Sequence, residues 1–200
     1  STGLADANSN LSVDFGFVLY DWGDLPNEAT ATNSPAYSTT LSEDGASHIV
    51  IPGLSIGSKE DGEVDGQPTA SANGDDNSLS DDEEGVILPA FIAGQDAVVK
   101  VSVINTTGAD ATLYGFIDLN GDGDFDDSGE SVSALVPGDG SVSTLPLTYT
   151  VPIDADISRL LGARFRLSSD DDLTANGAAP DGEVEDYLIR VAQYDFGDLP

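Results

Sequence analysis

The stretch ATLYGFIDLNGDGDFDDSGESVSALV, residues 111–136, decides how the chain is read. Its middle, 118–130, offers Asp118, Asn120, Asp122, Asp124 and Asp126 at every second position, with Gly123 where the backbone must turn sharply. That is the D-x-[DN]-x-[DN]-G opening of a calcium loop. A hard cation takes about six to eight oxygen ligands at roughly 2.3–2.6 Å, and a tight loop of alternating carboxylates can supply most of them. The spacing gives Asp118, Asn120 and Asp122 the first three ligand positions and Asp124 a backbone carbonyl. Asp126 stands at the ninth position, where ligation often runs through water. The twelfth position holds Gly129, so Glu130 follows one residue late as an additional ligand. The flanks, 111–117 and 131–136, are β-branched and aromatic, and read as strands rather than helices. The expectation is a Ca²⁺ loop between two β-strands, not a helix-loop-helix hand; a solvated acidic turn is the alternative.

Outward from this loop the pattern stays β. Short apolar runs at 86–92, 97–104, 112–119, 131–136, 144–151, 163–168 and 187–192 are bounded by Gly, Pro, Asp or Asn. This regular punctuation predicts an all-β chain, a β-sandwich of about seven to eight strands with long acidic calcium-binding loops. Residues 157–161 are read as a single helical turn. A short strand is expected at 47–51, after an extended loop over 27–40.

Composition narrows the partners. The chain has 200 residues, 37 Asp plus Glu and 6 Lys plus Arg, for a formal net charge of −31. Six scattered cations make no basic patch, so nucleic acid is excluded and anionic membrane surfaces are disfavoured. So much like charge opposes a compact state, and bound divalent cations are the simplest remedy. There is no Cys and no Met, so no disulfide can staple the fold, and calcium is the expected substitute. No run approaches the ~18 apolar residues of a membrane-spanning helix. The first residues, STGLADANSN, lack the charged and apolar regions of an export signal, as expected of a piece of a longer exported chain.

Further acids cluster in the loops. Asp21 and Asp24 stand near the start; Asp61, Glu63 and Asp65 follow, then Asp75, Asp76, Asp81, Asp82, Glu83 and Glu84, and finally Asp181, Glu183, Glu185 and Asp186. They are secondary metal-ligand candidates, expected to gather around calcium or arginine at one end of the sandwich. A loop as long as 57–85 is expected to be functional or a loose acidic linker. On 163–168, Ala163, Phe165 and Leu167 share one face and Arg164 and Arg166 the other. Glu183 and Glu185 are the candidate carboxylates for them to meet; two solvated arginines are the alternative. The single histidine, His48, sits beside an apolar run and is read as a packed, hydrogen-bonded residue. Lys100 interrupts VVKVSV and is the one plausible donor for an isopeptide staple, which needs a buried lysine; Lys59 lies in the acidic loop.

The heptad YDWGDLP at 20–26 returns as YDFGDLP at 194–200, with Trp22 exchanged for Phe196 as the one difference. This is the mark of a tandem array of domain-sized copies. The expected organisation is a terminal strand of a preceding domain at 1–19, an acidic loop-rich segment at 20–85, a β-sandwich at 86–193, and the start of the next copy at 194–200. Val13, Phe15, Phe17 and Leu19 alternate as a strand. Asp195 and Asp198 would serve the next copy, and the junction 188–194 would hold the copies end to end as a rod.

These motifs together resemble the GEVED domain family of bacterial surface and secreted proteins. GEVEDY (182–187) is the stretch that names it. YDWGDLP (20–26) is similar to its opening, and AYSTT with DGASH (36–48) to a later stretch, with Ser47 in place of the usual Arg. VDGQPTASANGDD (64–76), DDEEGV (81–86), YGFIDLNGDGDFDDSGE (114–130, with Phe116 in place of Trp) and ARFRLS (163–168) follow in order. The resemblance covers about 20–191. LSVDFGF (11–17) also resembles the last strand of the B-type calcium-binding β-domains in serine-aspartate-repeat adhesins. Both resemblances imply calcium-containing, multi-domain bacterial proteins secreted or displayed on the cell surface, with little catalytic chemistry.

The function expected is thus a calcium-stiffened structural repeat of an adhesin-type protein, with neighbouring repeats of the same chain as partners. The alternative is a module binding a carbohydrate, host or matrix ligand, for which Trp22, Tyr37, Tyr114 and Tyr149 are the available aromatics. An enzyme is not expected: Cys is absent, no Ser stands in a G-x-S-x-G setting, and paired carboxylates are too numerous to single out an acid–base pair.

Overall fold

In the computed structural model, residues 18–58, 62–74 and 85–194 are described. The expectations placed on 1–17, Asp61, Asp75, Asp76, Asp81, Asp82, Glu83, Glu84, Asp195 and Asp198 lie outside them, as does Lys59.

Strand β6 (Asp96–Asn105) carries Ala97, Val99, Val101 and Val103 to one side, all buried, while Asp96, Val98 and Lys100 are exposed. This period of two places one sheet face against a core. β6 pairs antiparallel with β9 (Val142–Thr150) and with the short β3 (Leu54–Ile56) and β4 (Val86–Ile87). The facing sheet has the order β12–β10–β7–β8, formed by Glu183–Ile189, Leu161–Ser168, Ala111–Ile117 and Ser131–Val136. Leu113, Ile117, Leu161, Ala163, Phe165 and Leu167 of this sheet meet Val99, Val101, Val103, Leu147 and Tyr149 of the other in one buried cluster. Two antiparallel sheets closed on a shared apolar layer make the chain an all-β sandwich.

A third layer covers the outer face of β10. There the even residues, Gly162, Arg164, Arg166 and Ser168, are as buried as the odd ones. Their cover is β1 (Tyr20–Trp22), β2 (Ser47–Ile49) and β11 (Ala178–Ala179), a small sheet with β2 in the middle, together with the loop between β1 and β2. Leu25, Tyr37, Phe116, Phe125 and Ala175 form a second apolar cluster within this layer. Tyr37 explains why residue 162 is glycine, since a Cβ there would lie 2.6 Å from the Tyr37 ring. β5 (Phe91–Ile92) and β13 (Val191–Ala192) pair in parallel at one end.

The described residues hold thirteen strands, more than the expected seven or eight, because the runs 86–92 and 187–192 each divide in two, β3 follows the 47–51 strand, and the third layer adds β1 and β11. The 131–136 strand stands as expected. Residues 157–161 do not form a helical turn: Leu161 already belongs to β10, and a 3₁₀ turn lies instead at Leu41–Glu43. The strand expected at 187–192 begins at Glu183, so GEVED is strand rather than loop. Lys100 is exposed on β6, which removes it as the buried donor of an isopeptide staple. No helix among the described residues is long and apolar enough to cross a membrane.

Candidate metal centre

The loop 118–130 leaves the end of β7 and returns at the start of β8, two neighbours in register from Phe116↔Ser131 upward. It carries six carboxylates and no cation. Asp118 is fully buried and organises the turn: Oδ1 accepts the Gly121 N–H at 2.6 Å, and Oδ2 accepts the Gly123 N–H at 3.0 Å and the Tyr37 hydroxyl at 2.9 Å. Gly121 and Gly123 both take positive φ, 77° and 98°, a conformation that a Cβ would strain. Burial pushes the Asp118 carboxyl upward, against the pull of those donors.

Asp122, Asp124 and Asp127 are all exposed, and each offers a carboxylate oxygen within 4.8 Å of the others. Asn120 is tied into this group, its Nδ2 donating to Asp122 at 3.0 Å and to Asp127 at 2.6 Å. The alternating pattern thus brings Asp122 and Asp124 together, with Asn120 alongside. Asp118 lies at the base of the loop. The third carboxylate of the group is Asp127, where the spacing had pointed to Asp126, whose N–H donates to Asp124 at 3.0 Å. Phe125 is the reason. It is buried, stacked 5.3 Å from Tyr37 and tilted against Phe116 at 6.2 Å, so the chain turns around an anchored side chain and strict alternation ends there. An apolar residue in the middle of an acidic loop was the signal for this shift.

Glu130 closes the loop. Its Oε1 accepts the Leu119 N–H at 2.8 Å and the Asn120 N–H at 3.3 Å. Its Oε2 is buried and has no hydrogen-bond partner among the described residues. Burial pushes this carboxyl up to about 7 despite the backbone donors. Glu130, Asn120, Asp127 and Thr150 line a cavity of about 80 Å³, so Asp127 borders both the cavity and the carboxylate group. Hard oxygen donors alone, like charges drawn close, and a buried carboxylate oxygen lacking a partner are what a hard divalent cation satisfies. The three carboxylates of Asp122, Asp124 and Asp127 fit such an ion, with Asn120 tied to them and Glu130 lining the cavity that Asp127 borders.

The secondary acids among the described residues accept hydrogen bonds that join loops to strands. Asp21 accepts the Val184 N–H at 2.6 Å, Asp24 the Gly74 N–H at 2.5 Å, and Glu63 the Trp22 N–H at 3.3 Å. Asp65 accepts from Leu41 at 2.7 Å, Asp181 from the Ser168 hydroxyl at 2.7 Å, and Glu185 from Gly85 at 3.1 Å. Glu183 accepts the Ile56 N–H. Carboxylates that receive backbone N–H groups stitch loops onto strands. Asp186 does most, accepting Asp24 and Leu25 N–H groups at 2.8 and 3.0 Å while pairing bidentately with Arg164 at 2.8 Å.

The arginines do not meet Glu183 and Glu185 as expected. The β10–β12 register sets Arg164 opposite Asp186 and Arg166 opposite Val184, with Glu185 opposite Phe165 and Glu183 opposite Leu167. Directly opposed residues share a face, so both glutamates belong with the apolar side chains. Arg166 instead donates from Nε to His48 Nε2 at 2.9 Å and from its Nη atoms to the carbonyls of Thr174, Asn176 and Gly177. Burial holds the Arg166 guanidinium down at about 9. His48 is the packed, hydrogen-bonded histidine that its setting suggested, with Nδ1 2.7 Å from the Asp181 carbonyl.

A family model, the GEVED domain, matches residues 112–190. The matched stretch runs from β7 through the acidic loop to the end of β12, and contains both the candidate metal group and the Arg164–Asp186 pair. No curated protein matches the chain.

Proposed function

We propose that this chain is a calcium-binding, calcium-stiffened structural module of a large bacterial cell-surface or secreted adhesin-type protein, working beside neighbouring repeats of the same kind. The observation that carries the reading is the convergence of Asp122, Asp124 and Asp127, the last of which borders the same cavity as Glu130. A net charge of −31 and the absence of Cys support it, as does the similarity of 112–190 to the GEVED domain. In this role the ion crosslinks the two ends of a strand–loop–strand unit and cancels charge that would otherwise push the loop open. Binding at roughly 10⁻⁴–10⁻³ M suits an extracellular module.

Calorimetric calcium titration tests it. Asp122→Ala and Asp127→Ala should each remove one bound ion, whereas Asp126→Ala should leave the stoichiometry unchanged. Calcium at a hundredfold excess over Kd should stabilise the wild type by about 2.7 kcal/mol. Unaltered stoichiometry in Asp122→Ala and Asp127→Ala, or a melting temperature indifferent to calcium and chelator, refutes the reading.

A further inference from the structure

The heptad 20–26 is a seated element with a defined receptor. Asp24 and Leu25 are fully buried and Trp22 nearly so. The heptad is held on two sides: residues 20–22 pair antiparallel with β2, and on the β12 side Asp21 accepts from Val184 while Asp24 and Leu25 donate to Asp186. Gly23 passes so close that a Cβ there would meet Asp186 Oδ2 and lie 2.9 Å from Arg164 Nη2. The slot therefore reads an Asp, a Gly that permits close approach, and a following Asp-Leu. All of these recur at 194–200 as Asp195, Gly197, Asp198 and Leu199.

The one difference between the heptads falls where the slot is indifferent. The Trp22 indole Nε1 is buried with no hydrogen-bond partner among the described residues, so these make no polar use of it, and Phe supplies the same apolar ring without a donor to satisfy. The second heptad cannot easily use the slot of its own module. β12 leads directly into β13, which pairs with β5, and the nine residues from 186 to 195 span about 30 Å when extended at ~3.3 Å each. Tyr194 borders Gln95 and Ile153 instead.

We propose that the groove formed by Val184, Asp186 and Arg164 is an exchangeable docking site for this heptad, and that 194–200 of a second copy occupies it when the resident 20–26 is displaced. In the intact chain the resident heptad prevails because it is tethered, at an effective concentration of order mM. The partner is thus another copy of this chain, joined heptad into slot.

Variants of the 200-residue chain test this. Gly23→Val should eject the resident heptad, and the protein should become oligomeric as concentration is raised, by sedimentation or light scattering. Adding Gly197→Val should abolish that association, while Gly197→Val alone should remain a monomer as stable as wild type. Trp22→Phe makes the two heptads identical and should melt within about 4 °C of wild type, whereas Trp22→Ala should lose at least about 6 °C. Concentration-dependent association of Gly23→Val that Gly197→Val cancels, with Trp22→Phe near wild type, supports the proposal. A Gly23→Val protein that is monomeric or unfolded at every concentration, equal association of the double variant, or a Trp22→Phe loss as large as that of Trp22→Ala overturns it.

Discussion

Asp186→Ala should lose about 3–5 kcal/mol of stability, the usual consequence of removing one partner of a buried ion pair. For a chain of this length that is a fall of about 6–20 °C in melting temperature. Both Arg164 and Asp186 are inaccessible to solvent in their 2.8 Å pair. Losing the carboxylate leaves the guanidinium without its counter-charge and strips the Asp24 and Leu25 N–H groups of their acceptor. Arg164 would keep its bonds to the carbonyls of Ser38 and Ala175 at 3.2 and 3.0 Å, which soften the loss without neutralising the charge. The damage should be local before it is global: the amides of Asp24 and Leu25 should exchange faster than those of β6 and β7. Asp186→Asn should fall between, because its amide oxygen can still accept from one partner. An Asp186→Ala protein within 1 kcal/mol of wild type, or uniform loss of protection across both sheets, would contradict this account of how the third layer is held.

That pair also marks the limit of what the sequence made legible. Alternation along 163–168 separated Phe165 and Leu167 from Arg164 and Arg166, because the period of two is a property of a single strand. Which carboxylate faces the arginines depends on cross-strand register, and a shift of one residue exchanges Glu185 for Asp186. Nothing local sets that register; the apolar facing of Tyr187 and Ile189 does. The GEVED segment itself was not read as strand because Glu and Asp are poor strand formers. It becomes one because its odd-numbered carboxylates receive N–H groups from Gly85 and Ile56 while Asp186 takes those of Asp24 and Leu25. In the acidic loop the spacing identified Asp122 and Asp124, but the place of Asp127 follows from Phe125 reaching the Tyr37 ring, a contact made across the fold. The third layer was the least legible part. The parallel pairing of β2 with β11 joins residues far apart in the chain, and loop composition carries no trace of it.

Between about pH 5 and 6.5 two buried groups of the metal-free protein, His48 and Glu130, should pull its stability in opposite directions. His48 is wholly buried, its Nε2 accepting from Arg166, so Nδ1 carries the proton and donates to the Asp181 carbonyl. Burial first, and then the Arg166 charge, hold its pKa well below the ordinary value. The unfolded chain takes up a proton near pH 6.5 that the native state refuses. Stability therefore falls as pH drops below about 6.5, by up to ~1.4 kcal/mol per pH unit. Glu130 has the opposite sign. Its native value of about 7 lies above the ordinary 4.5, so its stabilisation is complete below 4.5 and is lost as pH rises through 7. Glu130→Gln, which retains an oxygen for the Leu119 and Asn120 N–H groups, should remove that term and expose the His48 slope. The variant should lose stability progressively as the solution is acidified below pH 6.5. His48→Gln should show the reverse, growing more stable as the solution is acidified across the same window. Calcium saturation should make the wild type behave like Glu130→Gln, because a bound cation keeps the Glu130 carboxylate ionised in the native state. Chemical denaturation at pH 5.0, 5.75 and 6.5 on the three proteins measures this. Parallel profiles for Glu130→Gln and His48→Gln would show that neither group couples to folding in the way their burial requires.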